Sequence, residues 1–501
     1  MLDPRTPVIV GVGQLSQRSV PAAARSPIDL LEDVARVAGD DAGYGLFKRV
    51  DTVAVVQIVS WPYPNAAAFV ARRLGLEPRS TVMSTVGGNS PQLLLNEMGQ
   101  RILEGRADVV LLGGAEAMHT RWRARREPRT HLDWETGDDE PCRDVIGDDR
   151  PGVSDYELAH GAAAPTLVYP LFETALRAAA GRDIATHQQA VSELWSTFAA
   201  VAADNPNAWS RTAYTPEQIR TVTPENRMVA FPYPKLMCSN IDVDQSAALL
   251  LCSYGTARAA GVADDRLVFL HAGADGHDHW FVTERDTLHD SPGIGTVVRD
   301  ALDAAGVGID DCARFDFYSC FPSAVQLAQR ALNLKAPSEG GDRPLTVTGG
   351  LGFAGGPVNN YPTHAIARMV ELLRADPGSF ALTTALGWYA TKHSAGIWST
   401  TPPRERFVRV PHETTQARID ALPRRAVAGM LDGAMTIEAT SVAVERDGTP
   451  SSAIVAGLTG DGRRGLATTR DTGVMTSMMS EAWEGRTIKT VNDGTVNTVS
   501  A

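Results

Sequence analysis

Two separated stretches of this chain run through the same elements in the same order, and each passes a glycine turn at the same point. "AFVARRLGL" followed by "TVMSTVGGNS" is matched by "QLAQRALNL" followed by "TVTGGLGFAGG", and "ADVVLLGGAE" is matched by "SFALTTALGW". A repeated strand–helix order leaves few topologies open, and the simplest is a doubly wound α/β unit occurring twice.

The neighbouring segments fit that reading. "TPVIVGVGQ", "VDTVAVVQIVSW" and "STVMSTVGG" read as strands, and "PIDLLEDVARVAGDD" and "NAAAFVARRLGL" have apolar residues at helical spacing. Later, "ARFDFYSCF", "PLTVTGGLGFAGG" and "GSFALTTALGW" read as strands, the second with a glycine turn. They alternate with the helices "GTVVRDALDAAGVGIDDC", "SAVQLAQRALNL" and "THAIARMVELLRA". Apolar strands without clean alternation predict parallel sheets covered on both faces. Residues 121–239 differ in texture. They open on a basic run with Arg123, Arg125, Arg126 and Arg129, pass an acidic loop, and continue as helices. An insertion of this length reads as a lid or binding domain. From about Thr415 the chain is β-branched, and "ERDGT" and "TGDGR" signal hairpin turns, so an OB-like barrel is expected. The expected organisation is residues 1–120 with 240–260 as a first half, 121–239 as an inserted loop domain, 261–414 as a second half and 415–501 as a β-rich addition.

Charge and composition narrow the function. A formal charge of −12 argues against a general nucleic-acid binder. No apolar run is long enough to span a membrane, and "MLDPRTPVIVGVGQ" lacks a signal-peptide pattern. Cys142, Cys238, Cys252, Cys312 and Cys320 are scattered, which predicts free thiols in a cytoplasmic protein with neither a zinc site nor any other metal.

With these turns and halves in place, the chain resembles the thiolase superfamily over roughly residues 5 to 410. "PYPKLMCSNIDVDQSAALLLCS", "YSCFPSAVQLAQRALNL" and "TGGLGFAGGP" carry the resemblance. The β-rich C-terminus points to the thiolase-like proteins of type 1, related to the sterol-carrier-protein thiolases. The resemblance implies an acetyl-CoA acetyltransferase-like fold, a CoA or acyl-CoA ligand from lipid metabolism, and no covalently bound cofactor. A dimer is the superfamily's habit, and a monomer is compatible with the added domain.

The reactive residues are substituted. The family's nucleophilic Cys falls on Gly87, its His on Gly356, and its second Cys on Ala385. Ordinary thiolase activity is therefore not expected, since Gly87 carries no thiolate to accept an acyl group. The backbone N–H groups of Gly87 and Gly387 match the donors that face a thioester oxygen, and backbone donors do not depend on side chains. These two glycines are expected to lie close together, with Tyr318 reaching the same cavity and Trp388 or Tyr389 narrowing it. Tyr318, His364 and Cys320 are the candidate catalytic residues. Each also has a plain reading: strand packing for Tyr318, a capping or solvent-facing role for His364, a small core hydrophobe for Cys320. Asn89 and Ser90 read as helix caps. The arginine cluster is either a solvated loop or a CoA-phosphate contact. Three functions remain open: an acyl-CoA binder without thiolase chemistry, a retro-aldolase on a β-hydroxyacyl-CoA using Tyr318, or a non-enzymatic binder of lipid or CoA.

Overall fold

The computed structural model describes residues 2–19, 23–43, 45–127, 130–137 and 140–500. In the first half, Ser26 starts the helix Pro27–Ala42. Its hydroxyl accepts from the Asp29 N–H while the Asp29 carboxylate accepts from the Ser26 N–H, satisfying donors that a helix start leaves free. The helix buries Ile28, Leu31, Val34 and Ala38 toward the sheet. Glycine is needed where they meet, because a Cβ at Gly11 would stand 2.1 Å from the Ala38 carbonyl oxygen.

From one edge inward the first-half sheet runs Ser80–Ser84, Thr52–Val55, Val109–Ala117, Asp244–Ser253, Pro7–Ser16. The second half repeats the order as Cys312–Asp316, Phe380–Gly387, Lys392–Ser399, Val268–His277, lacking the edge strand. That strand was expected within "PLTVTGG". Those residues form no strand. Instead the buried Asp316 carboxylate accepts from the Thr346 hydroxyl at 2.9 Å, the Val347 N–H at 2.9 Å and the Tyr361 hydroxyl at 2.8 Å. A side chain has taken over the partners that a strand ladder would have supplied. The two half-sheets join into one through two ladder pairs, Val8 with Phe269 and Ile9 with Val268.

The outer edge of the first half is also covered. Asp144–Ile146, from the acidic loop, pairs in parallel with Ser80–Ser84. Arg101 fixes it, donating to Asp144 at 2.6 and 3.1 Å. A strand edge left open is a template for another chain, and here the chain covers its own.

The C-terminal strands Gly433–Val444, Pro450–Leu458, Arg464–Thr469, Asn497–Val499 and Thr487–Asn492 close into a five-stranded barrel, with the helix Thr472–Ser480 between the third and fourth strands in sequence. Both expected hairpin turns form, with Gly448 and Gly462 at φ 90° and 82°. Thr415, where the change of texture begins, lies in the helix His412–Asp420 with its hydroxyl on Asp300 at 2.6 Å. The barrel is joined to the inserted segment. Met228–Phe231 pairs with Gly433–Val444, and Thr174 exchanges hydrogen bonds with the Thr440 backbone at 3.0 Å each way.

Candidate functional site

The strand Ser80–Ser84 delivers the chain into the turn Thr85–Asn89, and the helix Ser90–Leu103 leaves it with Pro91 in its first turn. Gly87 holds φ 155°, where glycine is favoured. A Cβ there would stand 2.5 Å from Asn89 Oδ1 and 2.8 Å from Lys392 Nζ. A Cβ on Gly387 would stand 2.6 Å from the same Asn89 Oδ1 and 3.0 Å from Lys392 Cε. The two glycine turns thus converge on one spot, and Lys392 fills it. A Cβ on Gly88 would stand 2.2 Å from the Tyr318 hydroxyl, so Tyr318 reaches this turn too.

The turn that presents Lys392 is held tightly. Trp388 and Ala390 take φ 56° and 50°, in the left-handed region that non-glycine residues seldom occupy. The Tyr169 hydroxyl braces both, donating to the Trp388 carbonyl at 3.0 Å and accepting from the Ala390 N–H at 3.1 Å. Lys392 Nζ donates to the carbonyls of Val86 at 2.6 Å and Asp148 at 3.0 Å. Burial pushes this amine down to about 8, against the opposing pull of Asp148 and Asp149, and Arg150 acts in the same direction as burial. The Trp388 ring lies 5.8 Å from Nζ and packs against Gly152, so a bulky ring does stand beside the turn.

The Gly87 N–H is already engaged. It donates to Asn359 Oδ1 at 3.0 Å, and Asn359 Nδ2 donates to the Gln57 carbonyl at 2.9 Å. Asn89 does not cap its helix as expected, since its side chain makes no capping bond and its Oδ1 is buried without a partner. Ser90 donates instead to the Thr85 carbonyl at 2.8 Å.

Of the sequence candidates, Tyr318 and Cys320 lie near this turn and His364 stands apart. Tyr318 is buried, and burial followed by the nearby Cys320 keeps its hydroxyl protonated. Burial pushes the Cys320 thiol up to about 12, so it packs as a small apolar group beside Tyr169. His364 is neither a cap nor exposed to solvent. It is buried within the helix Tyr361–Ala375, with Nδ1 3.1 Å from Gln14 Oε1 and Nε2 unpartnered, and burial pushes it down to about 3. It lines a small void with Gln14, Gln245 and Gly355, apart from Lys392. At Gly356 a Cβ would meet Ser239 Oγ at 2.4 Å, and Ala385 is buried in its strand. Arg123 is half-buried and Arg125 and Arg126 are exposed at the end of the helix Met118–Arg126. Arg129 lies outside the described residues. Among the described residues, no group of His, Cys, Asp or Glu side chains is placed to hold a metal ion, and no helix is long and apolar enough to cross a membrane.

Residues 414–495 match the family described as thiolase-like protein type 1 additional C-terminal domain. The crystal structure of a monomeric SCP2-thiolase like protein type 1 from Mycobacterium smegmatis is 35% identical, covers 100% of both chains and superposes with a TM-score of 0.85. This chain belongs to the thiolase-like proteins of type 1. More distant likenesses show the shared fold. Human mitochondrial 3-ketoacyl-CoA thiolase in complex with CoA is 17% identical over 79% of this chain and 98% of its own, with a TM-score of 0.56. An Ltp2-ChsH2(DUF35) aldolase is 20% identical over 79% and 98%, with a TM-score of 0.58. Comparison with curated proteins gave no match.

Within this type 1 chain, the sequence resemblance singles out the turns of Gly87 and Gly387 but not the lysine between them. Asn359 and Lys392 were not candidates. A signal existed for the second: "ATKHSAGIW" places a lysine at the start of a strand that ends apolar, three residues after a turn of interest. Also missed was a cavity of about 300 Å³ bordered by Asn89, Asp148, His277, Lys392, His393 and Arg409. His393 Nε2 lies 3.0 Å from Asp278 Oδ2 with Nδ1 unpartnered. Burial works against the Asp278 charge, but His393, Arg285 and Ser291 together hold that carboxyl below its ordinary value.

Proposed function

We propose that this chain binds CoA, an acyl-CoA or a related lipid-like molecule and has no cysteine-based thiolase activity. The observation that carries the second half is the place of Lys392. Its Nζ would lie 2.8 Å from a Cβ at residue 87, so the space of the family's nucleophile holds an amine. With Gly356 and Ala385 at the other reactive positions, no group can take up the acyl carbon or move its α-proton in the usual way. The ligand half is supported by family membership and by the CoA-bound thiolase of like fold. Five free cysteines support a reducing, cytoplasmic setting. The self-covered sheet edge supports a monomer, as in the Mycobacterium smegmatis relative.

Purified protein should raise acetoacetyl-CoA thiolysis no further than background, leave no acyl adduct on the chain, and show saturable heat on titration with CoA or an acyl-CoA. Robust thiolysis would remove the reading, and absence of any CoA-dependent signal would remove its ligand half. The Tyr318 hydroxyl against Gly88 favours a second reading, retro-aldol cleavage of a β-hydroxyacyl-CoA with Tyr318 as the acid/base group that takes the β-hydroxyl proton and returns one to the enolate carbon. Release of an aldehyde or ketone from such a substrate, abolished by Tyr318→Phe, distinguishes it from simple binding.

A further inference from the structure

We propose that Lys392 is a carbonyl-capturing residue whose Nζ forms an imine with a small aldehyde or ketone admitted through the cavity bordered by Asn89, Asp148, His277 and Arg409. The amine is out of bulk solvent, at 4% exposure, yet its side chain borders this cavity. Its two hydrogen bonds run to carbonyl oxygens, Val86 at 2.6 Å and Asp148 at 3.0 Å. A neutral amine has two N–H groups, so these bonds use both and leave a lone pair. The shift of the group to about 8 leaves an appreciable unprotonated share at neutral pH, as imine-forming lysines require.

The surroundings suit a carbonyl. The unpartnered Asn89 Oδ1 and the imidazole of His393 border the same cavity; the amide oxygen can accept a hydrogen bond from the carbinolamine hydroxyl, and the imidazole can relay a proton. At about 300 Å³ the cavity is at the small end of ligand pockets, which restricts the carbonyl to a short chain. Its polar border is mixed: the carboxyl groups of Asp148 and Asp275 stand with the Arg409 guanidinium and the imidazoles of His277 and His412. The common chemistry is therefore the carbonyl carbon, with or without a carboxylate beside it.

The step balances. The Nζ lone pair bonds to the carbonyl carbon, and the carbonyl π pair moves to oxygen, which takes a proton. The resulting hydroxyl leaves as water, with one hydrogen drawn from Nζ and one proton from solvent in total, and a protonated imine remains. No oxidant or reductant is consumed. The proposal does not need CoA binding, so a negative CoA titration leaves it standing.

The test uses the unmodified full chain. Lys48, Lys235, Lys335, Lys392 and Lys489 are its five lysines, and all but Lys392 are exposed. Glyoxylate in one arm and propionaldehyde in the other are added with sodium cyanoborohydride near pH 7.5, and peptide mass spectrometry follows alkylation of each lysine. We expect Lys392 to be alkylated about tenfold faster than the mean of the other four in at least one arm, with the preference lost in urea. A preference in the glyoxylate arm alone would assign a carboxylated carbonyl, and one in the propionaldehyde arm an uncharged one. Alkylation of Lys392 no faster than the exposed lysines in both arms, or a preference that persists in urea, would overturn the proposal.

Discussion

Asn359 Oδ1 accepts the Gly87 N–H at 3.0 Å, so a donor of the type that faces a thioester oxygen in thiolases is paired within the chain itself. Any ligand oxygen directed at Gly87 competes with this amide carbonyl. The same Asn359 donates to the Gln57 carbonyl at 2.9 Å, which ties the turn to the strand end beside it.

Asn359→Ala should free the Gly87 N–H and raise affinity for an acyl-CoA, while leaving the Gln57 carbonyl without its donor. The expected stability cost is about 1–3 kcal/mol, read from urea unfolding. Weaker acyl-CoA binding in a folded variant would show that Asn359 aids the ligand rather than competing with it.

Gly87→Cys should not restore thiolysis. The new side chain would meet Lys392 Nζ, Lys392 Cε and Asn89 Oδ1, all within 2.9 Å of its Cβ. Overpacking of this kind costs about 1–3 kcal/mol. Adding Lys392→Ala should recover part of the loss, and a double-mutant cycle from urea unfolding should give a coupling well away from zero.

Lys392 should make stability rise with pH in one window. Its folded value is pushed down to about 8, below its value in the unfolded chain. Between the two values the unfolded chain binds more protons, so stability increases with pH there, and below about 8 the cost of burying the ammonium is fully present. Relative to Lys392→Met, the wild type should therefore gain stability from about pH 8 toward the ordinary lysine range. Parallel unfolding curves for the two proteins across that range would contradict the assignment.

Arg464 should be a weak point of the barrel. It is 0% exposed, bonds Glu438 at 2.7 and 3.0 Å, and donates to the Asp286 carbonyl at 3.0 Å. Arg464→Met leaves the Glu438 charge and the backbone carbonyls at the barrel's seam with the second half without this partner. A loss of about 3–5 kcal/mol is expected in denaturant unfolding. Restoring it with Glu438→Gln in the same chain should recover a measurable part, because the stranded charge is then gone.

Much of the architecture is written locally. Apolar periodicity, glycine turns and cap residues such as Ser26 act over a few neighbouring positions, and they sufficed for the repeated halves and for the barrel with its two hairpins. The motif resemblance likewise singled out Gly87 and Gly387, whose turns the fold brings together on Lys392. Local patterns misled at "PLTVTGG", where β-branched residues promised a strand and the carboxylate of the distant Asp316 took their hydrogen bonds.

What fills the site was decided by tertiary structure. Val86, Asp148 and Lys392 are far apart in the chain, and only the packing of the two halves against the acidic loop brings two carbonyls onto one amine. His364 shows the same dependence in reverse, since its place near the front of a helix allowed an exposed role and burial among Gln14, Gln245 and Gly355 assigned another. Residue type and spacing determine which elements form and which side chains each turn carries. Protonation, access and partnership depend on desolvation and on contacts between segments remote in sequence, and these exist only once the chain is folded.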